Sequence, residues 1–342
     1  MGATIQLRRG TAAQWAAALV PLAAGEPGIA TDTNILKIGD GTSLWAALPA
    51  VAWNPEISAL TMVAGTDPGA SAAGRLTLYS KALAGRIMPK IAGPSGLDTA
   101  LQPLLARNKI GMFTPPGNAT TAAVLGAYTA PTAIGTATAR SVATANMFTR
   151  MRRIGYVSAA TAGSLCGARA PSTQVTTGGA GGGSGFFKIM RFGISDAVVV
   201  SAARMFVGVT ASAAAPTNVE PSTLTNCIGV GCRTADTTLQ LFHGGTAAKL
   251  PINLGANFPV DTTTTDVYEL ALFAPPDTSD VHWEVTRLNT GDAVSGTILS
   301  AGGVASPGGT TLLSCLMAWR TNNTTAAAVG LDIMSDYIET DY

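Results

Sequence analysis

The sequence predicts a mainly β protein. A small α+β module opens the chain, a connector follows, and an antiparallel β-sandwich of jelly-roll type completes it. Three observations predict this. From Phe186 onward, short strand-like runs recur between turn residues such as Ala215–Asn218, Asn289-Thr290-Gly291 and Ser306–Gly309. Within one run, Val281, Trp283 and Val285 alternate with His282, Glu284 and Thr286, which is one buried face and one wet face. No alternation of helices with strands is visible, which excludes a doubly wound sheet. The 342 residues allow one large domain or two to three small ones. The boundaries read as 1–52, 53–107 and 108–342.

Ile5–Arg9 alternates and reads as a short strand. Thr11 and Gln14 fit a capping box, opening an Ala-rich helix that carries Trp15 and Leu19 and ends near Pro21. Gly25–Gly28 is a turn. Ile29–Asp32 and Ile35–Ile38 form a hairpin around Thr33-Asn34, and Gly39–Thr42 is a second turn. Ser43 can cap a helical turn over Leu44–Leu48, stopped by Pro49. Leu7, Trp15, Leu36, Ile38 and Trp45 are the expected core. About 50 residues is marginal for a module standing alone, so this one is expected to lean on its own copies or on a partner.

In the connector, Leu76–Tyr79 reads as a strand and Ala100–Ala106 as a short helix. From Thr114 to Gly185 the chain turns to Ala, Thr, Gly, Ser and Pro. Gly178–Gly185 fits neither a dinucleotide fingerprint nor a phosphate loop and reads as a flexible loop. The sandwich strands are expected at 186–192, 204–210, 226–233, 237–243, 267–273, 281–288, 294–299, 312–319 and 329–338. Trp283 belongs to the core face. Other strands are apolar on both sides: Leu313, Cys315, Met317 and Trp319 oppose Leu312, Leu316 and Ala318, and Tyr268, Leu270 and Leu272 oppose Val267, Ala271 and Phe273. A strand apolar on both faces needs an outer cover, and sister subunits are expected to supply it.

Composition narrows the function. Charged residues make up 12% of the chain, against roughly 25% in ordinary soluble domains. The net charge is +1, without the basic footprint that nucleic acid requires. Mean hydropathy is +0.30, yet no apolar run approaches the length of a membrane span, and no secretory signal is visible. Neither nucleic acid nor membrane insertion is therefore expected. Cys166, Cys227, Cys232 and Cys315 read as buried free thiols, suited to assembly in a reducing cytoplasm. With His243 and His282 as the only histidines, a His-rich metal site is excluded.

Catalytic chemistry finds little support. Asp332 and Asp336 share strand parity but lie too far apart along a strand for a glycosidase pair. A pair brought together by the fold, such as Glu269 with Glu284, stays open. No nucleophile elbow accompanies either histidine. Asp40 lacks the ligand series of a calcium loop and reads as a turn. Arg150, Arg152 and Arg153 form the densest basic cluster, either a solvated or interface-paired group or an anchor for an anionic glycan. Tyr337, His282 and Glu284 are expected at the surface by alternation. No catalytic, cofactor-binding or metal residue is assigned, no cofactor is expected, and no receptor-binding residue can be named.

The runs Ile5–Trp15, Leu22–Gly28, Thr31–Thr33 and Leu36–Thr42, with Trp45, resemble the N-terminal domain of phage tail-fibre proteins of the major tropism determinant type. Ile87–Lys90 and Gly93–Thr99 resemble, more weakly, the start of C-terminal modules in phage structural proteins. The first resemblance spans about 45 residues with several fixed anchors. It implies a homotrimeric, non-enzymatic fibre of a tailed-phage virion, assembled in the host cytoplasm. Residues 1–52 would hold it to other tail or head proteins. Residues from 108 on would meet a host-surface polysaccharide or receptor. The alternatives are a capsid decoration or head-fibre protein without receptor binding and, last, a polysaccharide-cleaving tailspike. The first has equal support from the low charge. The second lacks β-helix rungs and an acid pair.

Overall fold

The computed structural model describes residues 7–51, 60–66, 68, 69, 71, 72, 75–83, 86–92, 109–126, 128–179, 185–260, 262–275, 278–300 and 302–340. The chain divides into two compact units, residues 1–67 with 78–89 and residues 68–77 with 90–342.

The first unit holds β1 (Arg8–Gly10), α1 (Ala12–Ala17), β2 (Pro27–Ala30), β3 (Ile35–Ile38) and β4 (Ala50–Val51), the strands forming one sheet in that order. The expected capping box is present: Thr11 Oγ1 accepts from Gln14 N, and Gln14 Oε1 accepts from Thr11 N. The helix stops at Ala17, earlier than Pro21, with Ala18 extended. The expected hairpin forms with Asn34 at φ 56°. Ala47 N and Leu48 N turn back onto Leu44 O and Trp45 O, giving turns rather than a helix at the Ser43 cap.

The core of this unit differs in part from the expected set. Trp15 and Trp45 are buried, with Leu22, Ala30 and Leu48 around them. Leu36 is only half-buried, while Leu7 and Ile38 are exposed. The reason is geometric. The two indoles stack at 4.2 Å with 12° between planes, against the bare Cα of Gly28. A Cβ at Gly28 would sit 2.9 Å from both Leu22 Cδ1 and Trp45 Cζ3. The indoles thus cover the centre of a small sheet, and strand-end side chains such as Leu7 and Ile38 fall outside their footprint.

In the connector, β5 (Thr77–Leu83) and β6 (Arg86–Ala92) pair as a two-stranded sheet. The helix expected at 100–106 and the 93–99 resemblance lie outside the described residues, as do residues 180–184 of the Gly-rich loop.

The second unit is an antiparallel sandwich, as the sequence predicts. Its elements are β7 (Lys109–Thr114), β8 (Ala123–Gly126), β9 (Thr132–Ile134), β10 (Thr136–Ala139), α2 (Met147–Arg150), β11 (Ile154–Val157), β12 (Leu165–Arg169), β13 (Thr173–Val175), β14 (Phe186–Ile194), β15 (Arg204–Thr210), β16 (Cys227–Cys232), β17 (Gln240–Gly244), β18 (Ile252–Asn253), β19 (Tyr268–Ala274), β20 (Val281–Arg287), β21 (Asp292–Ile298), β22 (Leu313–Thr321) and β23 (Gly330–Thr340). All nine expected strands from residue 186 on are present. One nine-stranded sheet runs β10-β11-β23-β14-β19-β20-β21, with β7 and β8 continuing from the far half of β23. The other, eight-stranded, runs β18-β17-β16-β15-β22-β12-β9, with β13 on β22. Met190, Phe192, Leu270, Leu272 and Trp283 of the first meet Met205, Val207, Ile228, Val230 and Ala318 of the second in one core. Trp283 is a core residue, as its alternation predicts.

Two bulges overturn the simple parity reading. Between Met317 and Ser314 the pairing of β22 with β15 shifts by a residue. Leu313 and Cys315 therefore join Leu316 and Ala318 in the inter-sheet core, while Met317 and Trp319 pack on the opposite face with Phe206, Cys227 and Phe242. A second shift lies between Ser335 and Ile333 of β23. It places Asp332 beside Arg140 and Arg153, and Asp336 beside Lys188, instead of on one face. An extra residue in one strand exchanges its faces.

The outer cover is partly internal. Leu224, in the 211–226 segment, packs on the Phe206–Trp319 cluster. On the other sheet Phe148 of α2 covers Val267 and Met334. It fits because Gly193 offers no side chain, a Cβ there lying 2.6 Å from the ring. Sister subunits are thus not required to bury Trp319 or Val267.

The buried arginines Arg320 and Arg153 are paired with carboxylates. Arg320 Nε and Nη2 donate to Asp196 at 3.0 and 2.6 Å, and Asp196 Oδ1 also accepts from Gly330 N at 2.7 Å. Burial works against the Arg320 charge, but the Asp196 carboxylate raises its affinity for the proton. Arg153 is also buried, bonded to Asp332 at 3.0 Å and lying 4.8 Å over the Phe148 ring. All four cysteines are buried and free, as expected.

Candidate functional site

Where α2 does not reach, the outer face of the nine-stranded sheet is open. Cross-strand register builds it from two rows. One row runs Leu125, Met112, Tyr337, Ile189, Ala271, Glu284 and Ser295 across β8, β7, β23, β14, β19, β20 and β21. The other runs Ile110, Glu339, Phe187, Phe273, His282 and Thr297. These residues share a face because pairing sets them opposite one another, one position out of step with the core residues of each strand.

The second row makes an aromatic shelf. Phe187 meets Phe273 edge-on at 6.4 Å, and Phe273 stacks on the His282 imidazole at 6.0 Å. Phe273 is 44% exposed. His282 Nδ1 lies 2.9 Å from Thr297 Oγ1. A shallow groove of about 330 Å³ runs over the shelf, bordered by Ala271, Glu284, Ser295 and Thr297. Tyr337 donates its hydroxyl to Glu339, and its pKa is pushed up to about 12 by burial and by that carboxylate. Aromatic faces beside carboxylate, hydroxyl and imidazole groups suit a ligand with both C–H faces and hydroxyls.

The carboxylate pair left open by the sequence lies partly on this face. Glu269 and Glu284 are on adjacent strands, diagonal in register, but Glu269 is tied to Arg191 at 2.5 Å. His243 is half-buried with Nδ1 2.8 Å from Ala305 O. Of the basic cluster, Arg153 is committed to Asp332, while Arg150 and Arg152 are exposed. Asp40 accepts from Thr42 N and Ser43 N in a turn, and its bonds to Ser43 hold its carboxyl well below the usual range. Among the described residues no group of three or more His, Cys, Asp or Glu is placed to hold a metal ion. No helix among them is long and apolar enough to cross a membrane.

A second concavity, of about 420 Å³, lies where the 211–226 segment crosses the other sheet, lined by Ser212, Pro216, Thr217, Thr223 and Asn226 above Trp319. In the N-terminal unit, Lys37 Nζ donates to Trp45 O at 2.8 Å and lies 5.3 Å over its ring, and Trp15 Nε1 donates to Ile29 O at 2.9 Å. These bonds lock both indoles in place. Leu7 and Ile38, expected inside, lie at the surface of this unit.

Residues 5–43 match the major tropism determinant N-terminal domain. The sequence resemblance holds for that tropism-determinant module, which carries Trp15 and Gly28. No curated protein matches the chain. Among solved structures, peanut lectin bound to a peptide is similar over 68% of this chain and 97% of its own, with 10% identity and a TM-score of 0.45. The CBM2 module of the evolved Dit protein of Lactobacillus casei BL23 phage J-1 covers 69% of this chain and 98% of its own, with 13% identity and a TM-score of 0.41. Lectin II from Ulex europaeus covers 62% and 93%, with 12% identity and a TM-score of 0.41.

The aromatic shelf was not singled out in the sequence. Its signal was present: Phe273 lies on the parity opposite to buried Tyr268, Leu270 and Leu272, next in register to exposed His282.

Proposed function

We propose that this chain is a non-enzymatic fibre protein of a tailed-phage virion, held to the particle by residues 1–52 and contacting the host surface with the sandwich from residue 108. The observation that carries the reading is the match of residues 5–43 to the tropism-determinant N-terminal domain. The host-side ligand is a surface polysaccharide, received on the shelf of Phe187, Phe273 and His282. An open groove on a sheet face admits the middle of a polymer, where a closed pocket would take only an end. One such site is weak, and a homotrimer would multiply it. Exposed Leu125 and Met112, at the edge of the same face, give sister copies an apolar surface to cover.

Deleting residues 1–52 tests the division of labour. The truncated protein should stay folded and trimeric by sedimentation equilibrium but be absent from particles. Its recovery on virions would refute the assignment. Phe273→Ala should abolish retention of the full-length protein on immobilised host polysaccharide while leaving its mass in solution unchanged. Shortening of that polysaccharide during incubation would favour the tailspike reading instead.

A further inference from the structure

Between the sheets, Lys188 and Asp336 are fully buried on adjacent strands of one sheet. Met190 is the partner of Asp336 and Ile338 that of Lys188, so the two side chains are diagonal neighbours facing inward. Lys188 Nζ donates to Asp336 Oδ1 and, at 2.8 Å, to Cys315 O. Tyr128 donates its hydroxyl to the other carboxylate oxygen, Asp336 Oδ2. The Tyr128 ring reaches that place because Gly111 is bare; a Cβ there would lie 2.8 Å from the ring. Phe113, Met190, Leu272 and Ile338 surround the group.

An ion pair in such a place is poorly solvated, and passing one proton from amine to carboxylate leaves two neutral groups. Burial pushes the Asp336 carboxyl and the Tyr128 hydroxyl up, the direction that favours their protonated forms. A neutral amine and a neutral carboxylic acid held in contact, away from water, are the reactants of amide formation. We propose that Lys188 and Asp336 condense into an intramolecular isopeptide bond, with Tyr128 as the catalytic oxyanion donor.

The step balances without any co-reactant. A proton passes from Nζ to Oδ1. The Nζ lone pair then attacks Cγ, and the Cγ–Oδ2 π pair moves onto Oδ2, where the Tyr128 hydroxyl stabilises the charge. Nζ yields a second proton to the Oδ1 hydroxyl, the Cγ–Oδ1 bond breaks, and one water leaves as the Oδ2 carbonyl re-forms. No atom is oxidised or reduced. The product suits the site as well as the reactants do: the remaining Nζ–H can still donate to Cys315 O, and Oδ2 still accepts from Tyr128. Fixed contact in a dry core supplies the effective concentration that free amines and acids lack. The bond would close a loop between positions 148 apart in sequence and join β14 to β23 covalently.

The test is the intact mass of the purified full-length protein under denaturing conditions, which needs no assumption about folding of a variant. The wild type should be lighter than its sequence by one water. Trypsin should fail to cut after Lys188 and should release a branched peptide containing both residues. Lys188→Arg and Asp336→Ala should each regain the missing mass, after allowance for the substitution. Tyr128→Phe should slow bond formation about 100-fold in a time course after expression, the cost of removing one oxyanion donor. A wild-type mass equal to the sequence, with normal cleavage at Lys188, would overturn the proposal. Formation at an unchanged rate in Tyr128→Phe would overturn the role of Tyr128.

Discussion

Replacing Asp196 by Ala should be among the most damaging single changes in the sandwich. Asp196 and Arg320 are each about 2% exposed, and two guanidinium nitrogens reach the carboxylate. The arginine stays charged in the variant, because a guanidinium is too basic to lose its proton near neutral pH even without its partner. Removing the carboxylate therefore leaves a buried charge without a partner, worth about 3–5 kcal/mol. It also orphans the Gly330 amide, bonded to Asp196 Oδ1 at 2.7 Å. An orphaned amide adds about 1 kcal/mol or more. With a urea slope of about 3 kcal/mol per molar for a domain of this size, the midpoint should fall by about 1–2 M. The assay is equilibrium urea unfolding followed by tryptophan fluorescence, since Trp319 and Trp283 report on both sheets. The double variant Asp196→Leu with Arg320→Met should recover much of the loss, because no unpaired charge remains. A midpoint for Asp196→Ala within the error of wild type would refute the reasoning and show that water reaches Arg320.

Trp15→Ala removes one half of the indole stack and should cost the N-terminal unit about 3–5 kcal/mol, read as new proteolytic cuts within residues 7–51. Gly193→Ala puts a Cβ 2.5 Å from Asp266 O and 2.6 Å from the Phe148 ring, so the urea midpoint should fall by an amount equal to about 1–3 kcal/mol. Burial raises the thiols of Cys166 and Cys227 to about 12, and those of Cys232 and Cys315 to about 11. None should react with an aromatic disulfide reagent at neutral pH until the chain unfolds, when all four should titrate. Because the folded values lie above the unfolded thiol value of about 8.5, stability from these groups is complete below that pH. It should fall as pH rises toward 11–12, which alkaline unfolding midpoints would reveal.

Much of the sandwich was legible because alternation is a direct print of which side of a strand meets the core. The run from Val281 to Thr286 needed nothing else. The small-residue stretch from 114 to 185 was not legible as strands: its many Ala, Thr and Gly residues carry little contrast between faces, and β11, β12 and β13 find their partners in β22 and β23, far along the chain. The bulges in β22 and β23 were equally hidden. Nothing near Cys315 or Met334 marks an extra residue, yet each bulge exchanges faces, separating Asp332 from Asp336 and Met317 from Cys315. In the N-terminal unit the two tryptophans were identified as core because size and spacing favoured them, while Leu7 and Ile38 failed because hydrophobicity alone does not say how far a small core extends. The aromatic shelf emerged only when register set Phe273 beside Phe187 and His282.

The placement of β22 and β23 has a consequence for how the molecule is made. Both occupy interior positions in their sheets, and β23 is contacted by β7, β11 and β14. Both also follow β7 to β21 in sequence. Synthesis proceeds at about 5–20 residues per second, so β7 to β21 leave the ribosome well before either sheet can close. During that interval the earlier strands present bare edges where β22 and β23 will lie, the condition in which neighbouring nascent chains pair wrongly. Of those waiting edges, β11, β12 and β13 are only three to five residues long, so the exposure falls mainly on β14 and β15, of nine and seven residues. Folding is thus set to occur in one late event, when residue 340 emerges and both sheets acquire their middles together.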